Sequence, residues 1–511
     1  MPLSRLSTAG VILAGALAAI AQPADADDAI FELQDLTTQG RVVTAHFADF
    51  DGDRRVDLMV VTLEGIPPEE TRTIWVYLQQ KEGTFADEPS HSITLPAWSS
   101  VYDVADLKDA PGDELLLLRP DGVTIVSIAN GDATQWDLPV SGSSTVGASA
   151  DERGFDRLQM VFAEFGETPW ILVPQIGMIS ALTADGTEVA QIETGRRANY
   201  FVVPPSGPFS MESDIQLFLD VPKLAVGDVD GDGKNDIVTA TRHEIRVYLR
   251  AADGRFPRRA SRAIPLRMVS ERDHIRGSGG VISTFRDMDG DQRLDLMITH
   301  IEGSFTDAIT RTHIFHNRGG IWDIESPDDS FVSEGALGSD LLLDIDHDGR
   351  LELLRIRQRF SVFEIIEMLL TQEIDSQMLI HRLDSDGHFD REYWAKKRIS
   401  TGISFDTFRP EGFLPPTGID LNADGLMDFI TSADGKGMAV YLGGGKKPFA
   451  RRTARQKFPS AGVIRFADFD GDKLLDFVLV APQEAGSLVR VGRNRGMLPG
   501  SPTTRQETQR R

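Results

Sequence analysis

The sequence predicts an all-β fold, a β-propeller of four-stranded blades, eight in number with seven as the alternative. Three observations lead there. An acidic nine-residue pattern recurs along the chain, strand-like apolar runs flank each copy, and the two ends supply complementary pieces of one blade.

The pattern occurs six times: "DFDGDRRVD" from Asp49, "DVDGDGKND" from Asp228, "DMDGDQRLD" from Asp287, "DIDHDGRLE" from Asp344, "DLNADGLMD" from Asp420 and "DFDGDKLLD" from Asp468. Runs such as "VVTAHFA" before the first copy and "LMVVTL" after it are rich in β-branched residues, so each loop joins neighbouring strands. Two weaker copies fill the long gap after the first. "DLKDAPGDELLLL" from Asp106 keeps an acid-rich turn at what reads as the wrong spacing, and "SADERGFDRLQMVF" from Ser149 keeps still less. The eight starting points are then spaced by about 60 residues, longer than the roughly 40–50 residues of familiar propeller blades. In the first unit the strands read "TAHFADF", "DLMVVTL", "TIWVYLQ" and "SHSITLP", with "KEGTF" as the turn between the last two.

The ends predict closure. After the last loop only "FVLVA" and "LVRVG" can be placed, whereas "IFELQDL", Ile30 to Leu36, precedes the first unit and belongs to no other. Supplied as the missing strand, it removes an open sheet edge. The stretch from Tyr200 to Lys223 reads as an insertion between blades three and four, giving a propeller over residues 27–498. "FSVFEIIEMLLTQEIDSQMLIHRL" after Asp344 fits either a long hairpin or a helix, and strands are the expectation adopted.

Composition limits function. The chain has 511 residues, 41% hydrophobic, with no cysteine, so its core is stabilised by packing or metal and it has no lipoprotein attachment site. Residues 1–26 run from Arg5 through "AGVILAGALAAIA" to "PADA", the pattern of a secretory signal peptide, cleaved after Ala26 or, second, after Ala21. An uncleaved anchor is the minor alternative. A secreted or periplasmic product is expected, without later membrane insertion. The formal net charge of −25 argues against nucleic acid and anionic lipid. Residues 499–511 are polar and basic and read as a disordered tail.

Acidic groups at alternate loop positions direct carboxylates at one point. Position 1 holds Asp49, Asp228, Asp287, Asp344, Asp420 and Asp468; position 3 holds Asp51, Asp230, Asp289, Asp346, Asn422 and Asp470. Position 5 holds Asp53, Asp232, Asp291, Asp348, Asp424 and Asp472; position 9 holds Asp57, Asp236, Asp295, Glu352, Asp428 and Asp476. Left without a cation they repel one another. Ca²⁺ takes six to eight oxygens at flexible geometry, which four such groups and a backbone carbonyl, Arg55 in the first loop, can supply. The 23 carboxylates at these positions nearly equal the whole net charge. Gly52, Gly231, Gly290 and Gly471 at position 4, and Gly233, Gly349 and Gly425 at position 6, suit a tight turn. An EF-hand is excluded by strands on both sides and by the lack of a closing glutamate at position 12.

Loops, spacing and flanking strands together resemble the FG-GAP or VCBS repeats of integrin α-subunit propellers and many bacterial exported proteins, over nearly the whole mature chain. The resemblance implies about six structural Ca²⁺ sites in the strong loops, with the carbonyls of Lys234, Arg293, Arg350, Leu426 and Leu474 matching that of Arg55. It also implies that the loops lie on the face opposite the principal partner-binding face. The family's Phe-Gly and Gly-Ala-Pro elements are largely missing, so no ligand specificity is carried over.

The expected function is a binding or adhesion scaffold for a protein or glycan. Alternatives are a secreted polysaccharide lyase or hydrolase, and a structural component of a cell-surface assembly. No serine elbow, HExxH or phosphate loop is present, and no catalytic residue or organic cofactor is assigned. His300, His313 and His316 are the best acid/base candidates, with packing the expected role; on a strand His313 and His316 face opposite ways. The basic run 451–457, "RRTARQK", reads as a strand and turn of blade seven, with an anionic polysaccharide as the alternative contact. Trp75, Trp98, Trp136, Trp170, Trp322 and Trp394 are expected mainly in blade packing.

Overall fold

The computed structural model describes residues 29–502, apart from 82, 108–111, 129–132, 148–153, 166–167, 195–197, 204–213, 220, 277–278, 304–307, 335, 360–361, 405–408, 445–447, 450 and 482–487. The expected leader (1–26), most of the tail (503–511) and the start of the Ser149 unit lie outside the described residues.

Strand-forming runs and tight turns alternate as the repeat predicts, and eight sheets, antiparallel except for one short parallel pairing in blade two, form the ring. Blade one comprises Arg41–Ala48, Asp57–Glu64, Thr71–Tyr77 and His91–Leu95 in that order. Its second strand is buried along nearly its whole length, whereas its fourth alternates between half-buried and exposed positions and is buried only at Leu95. The reason is stacking on both faces. Met59 and Val61 pack with Tyr102, Leu115 and Leu117 of blade two, while Leu58 and Val60 pack with Val478, Val480 and Val491 of blade eight. Side chains alternate across a strand, so one apolar run fills two inter-blade cores. All six tryptophans lie in or against such cores, as expected.

Closure follows the expected route. Phe31–Thr37 pairs antiparallel with Leu488–Asn494, from Phe31 opposite Asn494 to Thr37 opposite Leu488, and becomes the fourth strand of blade eight. Asp35 accepts two hydrogen bonds from the Arg490 guanidinium, each 2.7 Å. The Phe31 ring meets Phe477 edge-on at 4.9 Å, and its backbone is held at both N–H and C=O by the Gln456 amide of blade seven, at 2.7 and 2.8 Å. Phe31 is fully buried. Phe31→Ala is therefore expected to destabilise the ring by about 3–5 kcal/mol in urea denaturation; a cost well under 1 kcal/mol would mean the closing strand contributes little.

Four expectations need correction. The Ser149 unit is not the loop of blade three: Asp156–Arg157 pairs in parallel with Val101–Ala105 of blade two, and Val161–Phe162 is the first strand of blade three. The turn leading to that blade's second strand, Trp170–Gln175, is 163–169, which has no run of alternating acids. In blade six, the segment expected as strands begins with a helix, Val362–Thr371, before Glu373–His381. Gln372 ends it at a φ of 58°, its N–H bonded to the Met368 carbonyl. Blade seven has three regular strands, Phe429–Thr431, Met438–Tyr441 and Ala454–Gln456. Its first-strand position is marked only by an Ile419–Asp428 bridge, since Pro415 and Pro416 before it have no N–H to donate to a ladder. Packing also runs past residue 498: Ser501 is fully buried and the Pro499 carbonyl accepts a hydrogen bond from Asn422.

The insertion between blades three and four is a hairpin, Ala198–Val203 with Asp214–Leu219. The basic run contributes the last strand of blade seven, where Arg455 pairs with Asp434.

Candidate metal loops

Every strong loop joins the first strand position of its blade to the second. In the first loop, Asp49 accepts the N–H groups of Gly52 and Arg54 at 2.8 and 2.9 Å, Asp51 that of Asp53 at 3.1 Å, and Asp53 that of Arg55 at 2.8 Å. The Asp228, Asp287 and Asp468 loops repeat this pattern. The Asp344 and Asp420 loops bond the N–H groups of positions 5 and 6 instead.

Positions 4 and 6 are left-handed in all six loops. Glycine fills only some of them; His347 and Ala423 at position 4, and Arg54, Gln292 and Lys473 at position 6, adopt φ between 52° and 72°. Such residues cost roughly 1 kcal/mol or more there, and the carboxylate-to-N–H bonds offset it. Each loop spends its glycine where it has one, which is why the glycine column drifts between positions 4 and 6.

Carboxylate oxygens of Asp49, Asp51 and Asp53 lie within 4.8 Å of one another, as do those of Asp228, Asp230 and Asp236, of Asp287, Asp289 and Asp291, and of Asp344, Asp346 and Asp348. Position 9 forms a buried floor: Asp57, Asp236, Asp295, Glu352, Asp428 and Asp476 are each at most 2% exposed. Each accepts the N–H of position 2, at 2.7 to 3.1 Å. In five of the six, the other oxygen accepts an N–H from the end of the third strand: Gln79, Arg250, Asn317, Gly443 and Asn494. The ninth acid therefore links its loop to two strands. Burial is the main cause that raises Asp57, Asp428 and Asp476 from 3.8 to about 7, Asp236 to about 6, and Glu352 from 4.5 to about 7, with nearby loop carboxylates adding to the shift.

Residues 228–298 and 420–479 match the model of the FG-GAP-like repeat. The chain carries FG-GAP-like repeats. No curated protein matches the sequence. Among solved structures, similar folds include an Agrocybe aegerita lectin described as recognising non-reducing terminal N-acetylglucosamine (13% identity, 92% of this chain and 96% of that one, TM-score 0.36). The V. cholerae biofilm matrix protein Bap1 follows at 11% identity, 91% and 89% coverage and TM-score 0.32, and the Dos1 propeller at 7%, 91% and 96%, and 0.37.

The degenerate loop of blade two keeps half of the pattern. Glu114 stands eight residues after Asp106, the same interval as Asp57 after Asp49, and accepts the Leu107 N–H at 3.0 Å. Its spacing was therefore not wrong; what is missing are acids at positions 3 and 5, Lys108 and Ala110. Neighbouring loops are also linked: the N–H groups of Leu294 and Met427 in strong loops, and of Asp113 in the degenerate loop of blade two, donate to the carbonyls of Asp228, Ile345 and Asp49 in the preceding blade's loop.

One residue beyond the paired part of the second and third strands, the positions that continue the register across from the ninth acids hold Leu78, Leu249, His316, Arg382, Leu442 and Arg493. Arg382 pairs with Asp346 at position 3 of its loop. The three candidate histidines are thereby parted. His300 and His313 sit within the second and third strands of blade five, where burial lowers both below the usual imidazole range, and His313 bonds Ser330 at 2.7 Å. His316 lies just past the third strand, beside the Asp287 loop, where the Asp295 carboxylate raises it to about 9. No local spacing announces that placement.

Proposed function

We propose that the chain is an exported, calcium-loaded propeller serving as a binding scaffold for a protein or glycan. Calcium in the six FG-GAP-type loops stiffens one face, and the partner is bound at the other. Clustered carboxylates over a buried ninth acid supply the hard oxygen donors that Ca²⁺ prefers, with the position-7 carbonyls completing the shell.

The observation that carries the partner face is the placement of exposed apolar side chains. Antiparallel strands put the second-to-third connections and the blade-to-blade crossovers at the end away from the loops. Among the described residues, the three most exposed large apolar side chains, Leu370 (80%), Ile66 (79%) and Leu414 (70%), all lie there: on the helix of blade six, on the second-to-third connection of blade one, and in the crossover into blade seven. The next, Ile321, is 56% exposed. A cavity of about 540 Å³ opens at the same end between blades two, three and four, lined by Ser141, Gln175, Met178, Glu193, Arg246 and Arg258. Exposed apolar residues on connecting loops favour a contact surface over plain solvation.

The test combines Ile66→Ser, Leu370→Ser and Leu414→Ser in the calcium-loaded protein, probed on a glycan array and against the exported-protein fraction. The variant should keep its stability to within about 0.5 kcal/mol while losing at least tenfold in partner affinity. Unchanged binding would move the partner to another surface.

A further inference from the structure

One of the six loops is faced by a nitrogen donor. Opposite its ninth acid, where three loops have leucine, the Asp287 loop has His316, whose side chain is 8% exposed. Nε2 lies 2.9 Å from the Gly387 carbonyl, contributed by a turn of blade six. A carbonyl can only accept, so Nε2 carries a hydrogen and Nδ1 is the nitrogen directed into the loop. There it stands 3.4 Å from Asp295 Oδ2 and 3.8 Å from Asp289 Oδ2, fully buried and without a hydrogen-bond partner among the described residues. Donor atoms of His316, Asp289 and Asp295 all lie within 4.8 Å of one another.

An imidazole nitrogen set against two carboxylates needs positive charge between them, which either a proton or a bound cation supplies. We propose that the Asp287 loop, which calcium fills when it is the only divalent ion present, is a mixed nitrogen and oxygen site that prefers a divalent first-row transition metal of the Zn²⁺ class, ligated by His316 Nδ1, Asp289 and Asp295. Calcium takes oxygen ligands, whereas imidazole suits zinc and its neighbours. The Gly387 contact has the form that orients a metal-bound histidine, the second ring nitrogen donating to a backbone carbonyl. Leu78, Leu249 and Leu442 offer nothing comparable, so the other leucine-faced loops keep all-oxygen donor sets. The proposal rests on the reading of these loops as cation sites, and its test is independent of whether calcium fills the rest.

The mature full-length protein is stripped with chelator, exposed to Zn²⁺ in a large excess of Ca²⁺, desalted, and both metals are counted by elemental analysis. The wild type, His316→Leu and Asp289→Asn are compared; leucine occupies the same register position in three sister loops, so His316→Leu is compatible with the fold. One Zn²⁺ per chain is expected in the wild type and none in either variant, with calcium at the other loops unchanged. Zinc affinity should fall by more than the roughly 10–100-fold that loss of an outer partner costs. Equal zinc in the wild type and His316→Leu, or no zinc in the wild type, overturns the proposal. Absence of calcium from every loop bears on the calcium reading alone, since the zinc count still decides this one.

Discussion

Removing calcium with a chelator is expected to lower the melting temperature of the mature protein by on the order of 15 °C. An ion held at a hundred times its dissociation constant stabilises by about 2.7 kcal/mol, so six such sites supply roughly 16 kcal/mol. A chain of this size has an unfolding entropy of about 1 kcal/mol per kelvin, which converts that energy into the stated shift. The loops transmit it because they are tied to the blades: each ninth acid holds its own loop and, in five blades, the end of the third strand. Calorimetry in excess Ca²⁺ and after chelation, with bound calcium counted, is the measurement. No shift and no bound ion would return the acidic loops to solvated turns and leave the fold to packing alone.

The same shift should depend on pH with a definite sign. Burial lifts the floor carboxylates Asp57, Asp428 and Asp476 from 3.8 to about 7 when no cation offsets their charge. Between about pH 4 and pH 7 the calcium-free native chain then holds protons that the unfolded chain has released, so its stability falls as pH rises through that window. Calcium needs those groups ionised. The gain in melting temperature on adding calcium is therefore expected to be greatest above pH 7 and to shrink toward pH 5 as protons compete for the same oxygens.

Six loops and the closing strand are legible because each is a local pattern: acids at fixed intervals between apolar runs, and an orphan strand at one end matched by a last unit short of a strand at the other. Blade three was counted correctly but misplaced, since its own turn at 163–169 carries no acidic signature and the Ser149 turn mimics one. The helix Val362–Thr371 was obscured by an apolar composition that fits two periods. The Asp106 loop reads as wrongly spaced because Lys108 and Ala110 stand at positions 3 and 5, which hold acids in most of the strong loops. The ninth position, which links the loop to the sheet, is the part of the pattern that this loop keeps. His316 could not be placed from sequence, since only the register of two strands separated by a variable connection brings it across from Asp295.

That division between a linking acid and a metal-holding trio leads to the second large effect. Asp57→Ala is expected to cost about 5–9 kcal/mol in excess calcium. The carboxylate is 1% exposed, and its loss leaves the N–H groups of Phe50 and Gln79, both held at 2.9 Å, without their acceptor. Each orphaned donor costs about 1–3 kcal/mol, and loss of the ion adds about 2.7 kcal/mol. In chelator only the first contribution should remain, reduced because an ion-free carboxylate pushed up to about 7 is itself poorly accommodated in the fold. Glu114→Ala is the matched control, since it removes the acceptor of the Leu107 N–H from a loop with Lys108 and Ala110 where the strong loops have acids. Its cost should be the same with and without calcium to within about 0.5 kcal/mol. Urea denaturation of both variants in both conditions separates the two roles. If Asp57→Ala costs as much in chelator as in calcium, the ninth acid is a backbone link and nothing more; if the calcium-dependent difference appears at Asp57 and vanishes at Glu114, one position serves two purposes that the blade-two loop has already separated.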